Sequence, residues 1–128
     1  MKNEQAEPPP EFAAIFSALK KILQAHEPQL VVYANEPGNY HLNTRHFQKN
    51  KQPLSFGAVQ IKKNYVSFHL VPIYLCPELL THLSLPLRAR MQGKSCFNFK
   101  KQDPALFEEL ARLTEAGFAK FQGNSWVA

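Results

Sequence analysis

The feature that most constrains the fold is a pair of alternating segments near the middle of the chain. Residues 56–62 and 65–71 both alternate apolar and polar side chains, and Lys63-Asn64 separates them. This pattern predicts a hairpin with a two-residue turn, and Asn tolerates the positive φ that such a turn demands. The predicted cross-strand pairs are Lys62 with Tyr65, Ile61 with Val66, Gln60 with Ser67, Val59 with Phe68 and Ala58 with His69.

Side chains alternate across a strand, so this register assigns every residue of the hairpin to a face. One face carries Val59, Ile61, Val66, Phe68 and Leu70, and the other carries Gln60, Lys62, Tyr65, Ser67 and His69. A slip of one residue would exchange the two sets, so the apolar set fixes the register. We therefore expect the apolar face to lie in the core and the polar face to lie outside it.

The flanking sequence predicts helices at both ends of the domain. Apolar residues with helical spacing follow Pro10, and Pro28 ends that helix. Asp103-Pro104 is typical of a helix start, and Gly123 closes the last helix. We expect one α+β domain over residues 10–123, a disordered tail over 1–9 and a C-terminal tail over 124–128.

Between these helices the sequence predicts further strands and short helices. A first hairpin spans residues 30–44 around a type II turn at Pro37-Gly38, and a basic loop follows over 45–53. Short helices are predicted over 77–83 and 85–91, the second capped by Ser84 and ended by Gly93. Residues 94–100 alternate again as a last strand. The predicted architecture is a curved antiparallel sheet of about five strands with the N-terminal and C-terminal helices packed on one face.

Length and composition agree with a single domain. The chain has 128 residues, 45% of them hydrophobic, which suffices for one core. No apolar run approaches the length of a membrane span, and the N-terminus lacks the apolar core of an export signal. Cys76 and Cys96 have neither a metal-site nor a disulfide-framework spacing. We expect reduced thiols and a cytoplasmic protein without membrane contact.

Charge is concentrated in the central part of the chain. Residues 37–102 contain ten Lys and Arg but only one acid, Glu78, a local charge of +9 within a net charge of +5. This asymmetry favours anionic partners. The alternative is an ordinary solvated surface that is basic.

If the last strand joins the same sheet, its polar residues extend the polar face of the hairpin. The candidate ligand-binding residues are then Lys62, Tyr65, His69, Lys94 and Asn98. The lysines would supply charge, Tyr65 a stacking surface, and the His69 and Asn98 side chains directed hydrogen bonds. The alternative is a sheet face that is polar because it meets water.

Signals of catalysis and metal binding are weaker. A pair of Cys96 with His69 would suit a nucleophile and its base, although a strand cysteine is more often a small buried residue. The histidines considered as metal ligands are His41, His46, His69 and His82. No pair of them has the helical i, i+4 spacing or a nearby carboxylate, so we predict no metal and no cofactor. Phosphate-binding glycine loops and the G-x-S-x-G motif do not occur.

Two segments resemble a known family. Residues 56–72 (FGAVQIKKNYVSFHLVP) and 90–100 (RMQGKSCFNFK) are similar to the YdhG-like family of small bacterial domains of unknown function. The resemblance spans roughly residues 30–122 and includes the positions of Lys62 or Lys63 and of Gly93-Lys94. It implies a curved antiparallel sheet with flanking helices and no established activity. Some relatives are described as frataxin-like intracellular iron chaperones, but the first helix here carries only one carboxylate, Glu11.

The leading hypothesis is a non-enzymatic binding module for an anionic ligand or an acidic protein surface. The alternative is an intracellular iron chaperone, and an enzyme using Cys96 with His69 is a third hypothesis. Nucleic acid is a weaker candidate ligand, because Tyr65 is the main ring predicted to be exposed. A homodimer is also left open, since a free sheet edge or face can pair with another copy.

Overall fold

The computed structural model describes residues 9–127. The strands are β1 (Val31–Glu36), β2 (Asn39–Phe47), β3 (Pro53–Ile61), β4 (Val66–Leu70), β5 (Met91–Gln92) and β6 (Cys96–Phe99). The α-helices are α1 (Pro10–Gln24), α2 (Val71–Leu75), α3 (Leu85–Arg88) and α4 (Pro104–Gly123), and Glu27–Gln29 and Pro77–Leu80 form 3-10 turns. Residues 1–8 of the predicted disordered tail lie outside the described residues.

The strands form one antiparallel sheet, and the predicted α+β class is confirmed. Its strand order is β1-β2-β3-β4-β6-β5. Helices α1 and α4 contact each other, and their buried side chains share one core with the sheet. The described residues form six strands where about five are predicted from the sequence, because Met91 and Gln92 pair with the free edge of β6.

Both long helices pack through the apolar stripes that the sequence predicts. In α1 the buried residues are Phe12, Ile15, Phe16, Leu19 and Leu23. In α4 they include Phe107, Leu110, Leu113, Phe118 and Phe121. The Asp103 carboxylate accepts a hydrogen bond from the Leu106 backbone N–H at 3.2 Å, which caps α4 as predicted.

The central hairpin has the predicted register. Val59 pairs with Phe68, and both side chains are fully buried, while Ala58 pairs with His69. The Lys62 N–H donates to the Tyr65 carbonyl oxygen at 2.8 Å and closes the turn. The expectation of positive φ in this turn is wrong, because the non-glycine residues with positive φ within 9–127 are Lys51 and Ser125. Pairing of the flanking strands holds the turn without the backbone geometry of a primed turn.

The first hairpin turns at Pro37-Gly38, and Gly38 has the positive φ of +78° that a type II turn needs at this position. The basic loop is shorter than predicted. Strand β2 continues to Phe47 and β3 starts at Pro53, so residues 48–52 connect them. The register of β2 with β3 shifts between Leu42 and Asn43 and again between Asn43 and Phe47. These irregularities let the two strands continue past the regularly paired residues.

The segment between β4 and β6 differs most from the prediction. Helix α2 follows β4 directly and was not predicted, and a 3-10 turn replaces the helix expected over 77–83. Helix α3 is capped by Ser84 as predicted, but it ends at Arg88. Gly93, predicted to end this helix, instead turns the chain between β5 and β6 with a φ of +74°. Residues after the helix therefore become a strand.

Candidate functional site

The face of the sheet opposite the helices carries a continuous polar surface. We call it the open face and define it as Asn39, His41, Ala58, Gln60, Lys62, Tyr65, Ser67, His69, Cys96 and Asn98. These residues are half-buried or exposed. Their neighbours on the helix side, such as Val59, Phe68 and Phe97, are fully buried. Strict alternation of side chains thus separates the core from a polar surface one residue away.

Strand pairing arranges the open face in two rows. One row runs through His41, Ala58, His69 and Cys96, and the next runs through Asn39, Gln60, Ser67 and Asn98. Each residue pairs with its neighbour on the adjacent strand, so the rows cross the sheet from β2 to β6. Side chains that are far apart in sequence are brought into a single surface.

A close polar contact on this surface joins His69 and Cys96. The His69 Nδ1 atom lies 2.9 Å from the Cys96 Sγ atom, and the Ser95 Oγ atom lies 3.5 Å from the same nitrogen. Burial raises the pKa of the Cys96 thiol, against smaller lowering effects from Ser67, Lys62 and Ser95. Burial also lowers the pKa of His69, and the neighbouring His41 lowers it further. Both shifts favour the neutral thiol and the neutral imidazole.

His41 lies in the same row and contacts residues from two other strands. Its Nε2 atom is 2.8 Å from the Ser55 Oγ atom, and the Tyr33 ring packs edge-on at a centroid distance of 5.1 Å. Burial lowers the pKa of His41, while a hydrogen bond with Asn43 acts in the opposite direction. The small Ala58 side chain separates this imidazole from His69. The row therefore presents two imidazoles whose pKa values are both lowered.

The second row is made of amides and a hydroxyl. The Gln60 Nε2 atom donates to the Asn39 Oδ1 atom at 3.1 Å. The Asn98 side-chain N–H donates to the Gln92 amide oxygen. Ser67 lies between Gln60 and Asn98 in the row. This row can both donate and accept hydrogen bonds along a line across four strands.

Four of the five predicted binding residues share the open face. His69 and Asn98 lie on β4 and β6, and Lys62 and Tyr65 flank the β3–β4 turn. Lys94 lies elsewhere, in the turn between β5 and β6, with its ammonium 6.0 Å from the centre of the Tyr74 ring. Strand β6 begins at Cys96 instead of residue 94, so Lys94 lies outside the strand pairing that aligns the other residues.

Sequence reasoning did not place His41 beside His69. The prediction treated His41 only as a candidate metal ligand and did not pair its strand with β3. The irregular register after Leu42 interrupts the pattern that would have revealed this pairing. The signal that could have found it is local, because the buried Tyr40 and Leu42 flank His41 and so direct it to the opposite face.

Metal ligands and membrane-spanning helices were also sought within residues 9–127. No group of three or more His, Cys, Asp or Glu side chains in this part of the chain is placed to hold a metal ion. His46, one of the candidate ligands, packs against the Trp126 ring at 5.5 Å. None of the helices described between residues 9 and 127 has the length and apolar character needed to cross a membrane.

No family model, curated protein or solved structure matches this chain. The resemblance to the YdhG-like family accordingly stays a prediction. The geometry of the open face is then the main basis for a functional proposal.

Proposed function

We propose that this chain is a non-enzymatic binding module that holds an anionic ligand on its open face. The observation that carries the proposal is the charge of the strands that form it. Strands β3, β4 and β6 contain no acidic residue, and Lys62 lies at one end of their exposed surface. An anion placed there meets hydrogen-bond donors and a cation, and these three strands add no repelling carboxylate. On the neighbouring β1, the Glu36 carboxylate accepts a hydrogen bond from the Asn39 side-chain N–H at 3.5 Å.

Each side chain of the open face would have a distinct part in binding. Lys62 supplies the charge, and its exposed side chain can follow a ligand along the surface. The amides of Asn98 and Gln60 direct hydrogen bonds, and the half-buried Tyr65 ring offers a surface for stacking. Recognition by neutral donors beside one lysine suits a small anion with a planar group.

The protonation state of the thiol–imidazole pair supports binding over catalysis. A nucleophilic cysteine needs a thiolate, which a cation or a basic imidazole must stabilise. Here burial raises the pKa of Cys96 and lowers the pKa of His69. The free thiols of Cys76 and Cys96 favour a reducing compartment, so we propose a cytoplasmic location.

Iron carriage is not the function we propose. Ferrous iron in a carrier is expected to bind several oxygen or nitrogen ligands. Within residues 9–127 no suitable group of side chains comes together, and the candidate acid of the first helix, Glu11, is exposed on the helix layer. A titration with ferrous iron would test this directly, and tight calorimetric binding would favour the iron hypothesis.

The test is a titration with two anionic probes, tripolyphosphate and a short oligothymidylate, at about 50 and 200 mM salt. We expect Lys62→Gln and Asn98→Ala to weaken binding of at least one probe several-fold. Lys21→Gln is the matched control, since it removes the same charge from an exposed position on α1, in the opposite layer. Equal affinities of the Lys62→Gln and Lys21→Gln variants would contradict a site on the open face.

A further inference from the structure

A separate cleft lies between the short helices and the β5–β6 turn. Its volume is about 620 Å³, within the range of small-molecule sites. The lining residues are Ile73, Tyr74, Pro77, Leu80, Arg88, Met91, Gly93 and Lys94. Lys94 is the one ligand-binding residue predicted from the sequence that lines this cleft, and it is also the one that does not lie on the open face.

The lining of this cleft is largely apolar. Ile73 is almost fully buried beneath it, and Leu80 and Met91 pack against the main core. Tyr74 contributes a ring that is 57% exposed. Gly93, in the β5–β6 turn, also lines the cleft and adds no side chain to it. An apolar group entering the cleft would be removed from water against these side chains.

Two cations border the apolar lining. The Arg88 Nη2 atom donates to the Leu80 carbonyl oxygen at 2.8 Å, which holds the guanidinium in place. The Lys94 ammonium lies 6.0 Å from the centre of the Tyr74 ring. Among residues 9–127, no acidic residue lines the cleft. The nearest acid in sequence, Glu78, has its carboxylate 3.5 Å from the Lys120 ammonium on α4.

From this arrangement we propose that the cleft binds a small amphipathic anion, a carboxylate attached to an apolar chain or ring. The carboxylate would lie between Arg88 and Lys94, and the apolar part would cover Leu80 and Met91. The remaining N–H groups of the Arg88 guanidinium can donate hydrogen bonds to a carboxylate, and the lysine adds charge. This site does not depend on the open face and would be occupied independently of it.

The NMR signal of a methionine methyl group can measure ligand binding in the cleft directly. The chain contains two methionines, Met1 and Met91, so a protein labelled with ¹³C at its methionine methyl groups gives two methionine signals, and the Met91 signal reports on the cleft. We expect octanoate to shift the Met91 signal in a saturable manner. Acetate, which lacks the chain, and octylammonium, which reverses the charge, should leave it unchanged. Affinity should rise about fourfold per methylene from butyrate to octanoate.

Charge is tested by substitution at Lys94. Lys94→Gln should weaken octanoate binding about tenfold, whereas Lys63→Gln, at an exposed lysine of the β3–β4 turn, should leave it unchanged. Neither side chain is buried, so both variants should fold. The proposal is overturned if octanoate does not shift Met91, if octylammonium shifts it equally, or if Lys94→Gln binds octanoate as tightly as the unchanged protein.

Discussion

The imidazole of His69 and the thiol of Cys96 meet on adjacent strands, with Nδ1 and Sγ 2.9 Å apart. Direct pairing of the two residues across β4 and β6 produces this contact. Burial is the main cause of a raised pKa at Cys96 and a lowered pKa at His69, and both shifts favour the neutral form of the group. Proximity of a cysteine and a histidine is therefore not sufficient evidence for a nucleophile, and the surroundings of the pair favour a structural contact.

The first prediction concerns the titration of Cys96. In a Cys76→Ala variant, which retains one thiol, the rate of iodoacetamide labelling should rise with a midpoint above pH 9.0, the ordinary value for cysteine. Labelling is followed by mass spectrometry between pH 6 and 10.5, and the urea-unfolded variant supplies the unshifted curve. The midpoint is compared because burial also slows the rate itself. A midpoint below that of the unfolded chain would revive the enzymatic hypothesis.

The second prediction concerns stability in acid. Burial lowers the pKa of His26, His41 and His69 from 6.5, with Glu115 opposing the shift at His26. Below pH 6.5 the unfolded chain therefore binds more protons than the folded chain. The free energy of unfolding consequently decreases as the pH is lowered. Urea denaturation at pH 7.5 and 5.5 should give a lower stability at the lower pH.

A pair of histidine variants tests the origin of this effect. His69→Gln should reduce the loss of stability between pH 7.5 and 5.5, because one titrating group with a lowered pKa is removed. His82→Gln changes an exposed histidine and should leave the loss unchanged. If both variants lose as much stability as the unchanged protein, the half-buried imidazole of His69 is not a source of the pH dependence.

Alternation explains why the centre of the fold could be predicted from sequence. Exchange of Val59 and Phe68 with the polar set would expose large apolar side chains, so one register was clearly preferred. The structure has this register, and it also aligns His69 with Cys96. Four of the candidate residues share a face for the same reason. Local periodicity determined both the core and most of the open face.

The remaining differences arise where tertiary pairing overrides local signals. The sequence predicts that Gly93 ends a helix, but its positive φ serves a turn between two strands. Met91 and Gln92 become a strand because the edge of β6 is available to them. The partners Phe97 and Cys96 follow closely in the chain, but a strand of two residues is too short to show an alternating pattern of its own. Lys94, predicted to lie on the last strand, lies in the turn before it.

The third prediction concerns Gly117, a glycine within α4. A side chain there would place its Cβ atom 2.7 Å from the Pro72 Cβ atom on α2, and the proline ring has little freedom to move away. Gly117→Ala should therefore destabilise the protein by about 1–3 kcal/mol despite the better helix propensity of alanine. The measurement is urea denaturation.

Gly123 is the matched control for this substitution. It is the last residue of the same helix, and an added Cβ atom would have no neighbour within 4 Å. Gly123→Ala should leave stability unchanged or raise it by up to about 1 kcal/mol. If Gly117→Ala is as stable as Gly123→Ala, the contact between α2 and α4 is looser than the close approach of Gly117 to Pro72 indicates.

The fourth prediction concerns the link between α3 and α4. The Glu109 carboxylate accepts hydrogen bonds from the Ser84 backbone N–H at 2.8 Å and from the Ser84 hydroxyl at 2.6 Å. The same hydroxyl accepts a bond from the Leu87 N–H at 3.2 Å and caps α3. Glu109→Gln removes the charge that strengthens these bonds, and should lower the free energy of unfolding by about 1–2 kcal/mol.

The adjacent Glu108 provides a control that differs by one position. Its carboxylate lies 3.8 Å from the Arg112 guanidinium, and both side chains are largely exposed. Such a pair contributes little, so Glu108→Gln should change stability by less than about 0.5 kcal/mol. Equal effects of the two substitutions would mean that the Ser84–Glu109 bonds do not hold the start of α3 against α4. Arg88, the last residue of α3, lines the cleft proposed to bind octanoate. Glu109→Gln should therefore also weaken octanoate binding, whereas Glu108→Gln should not.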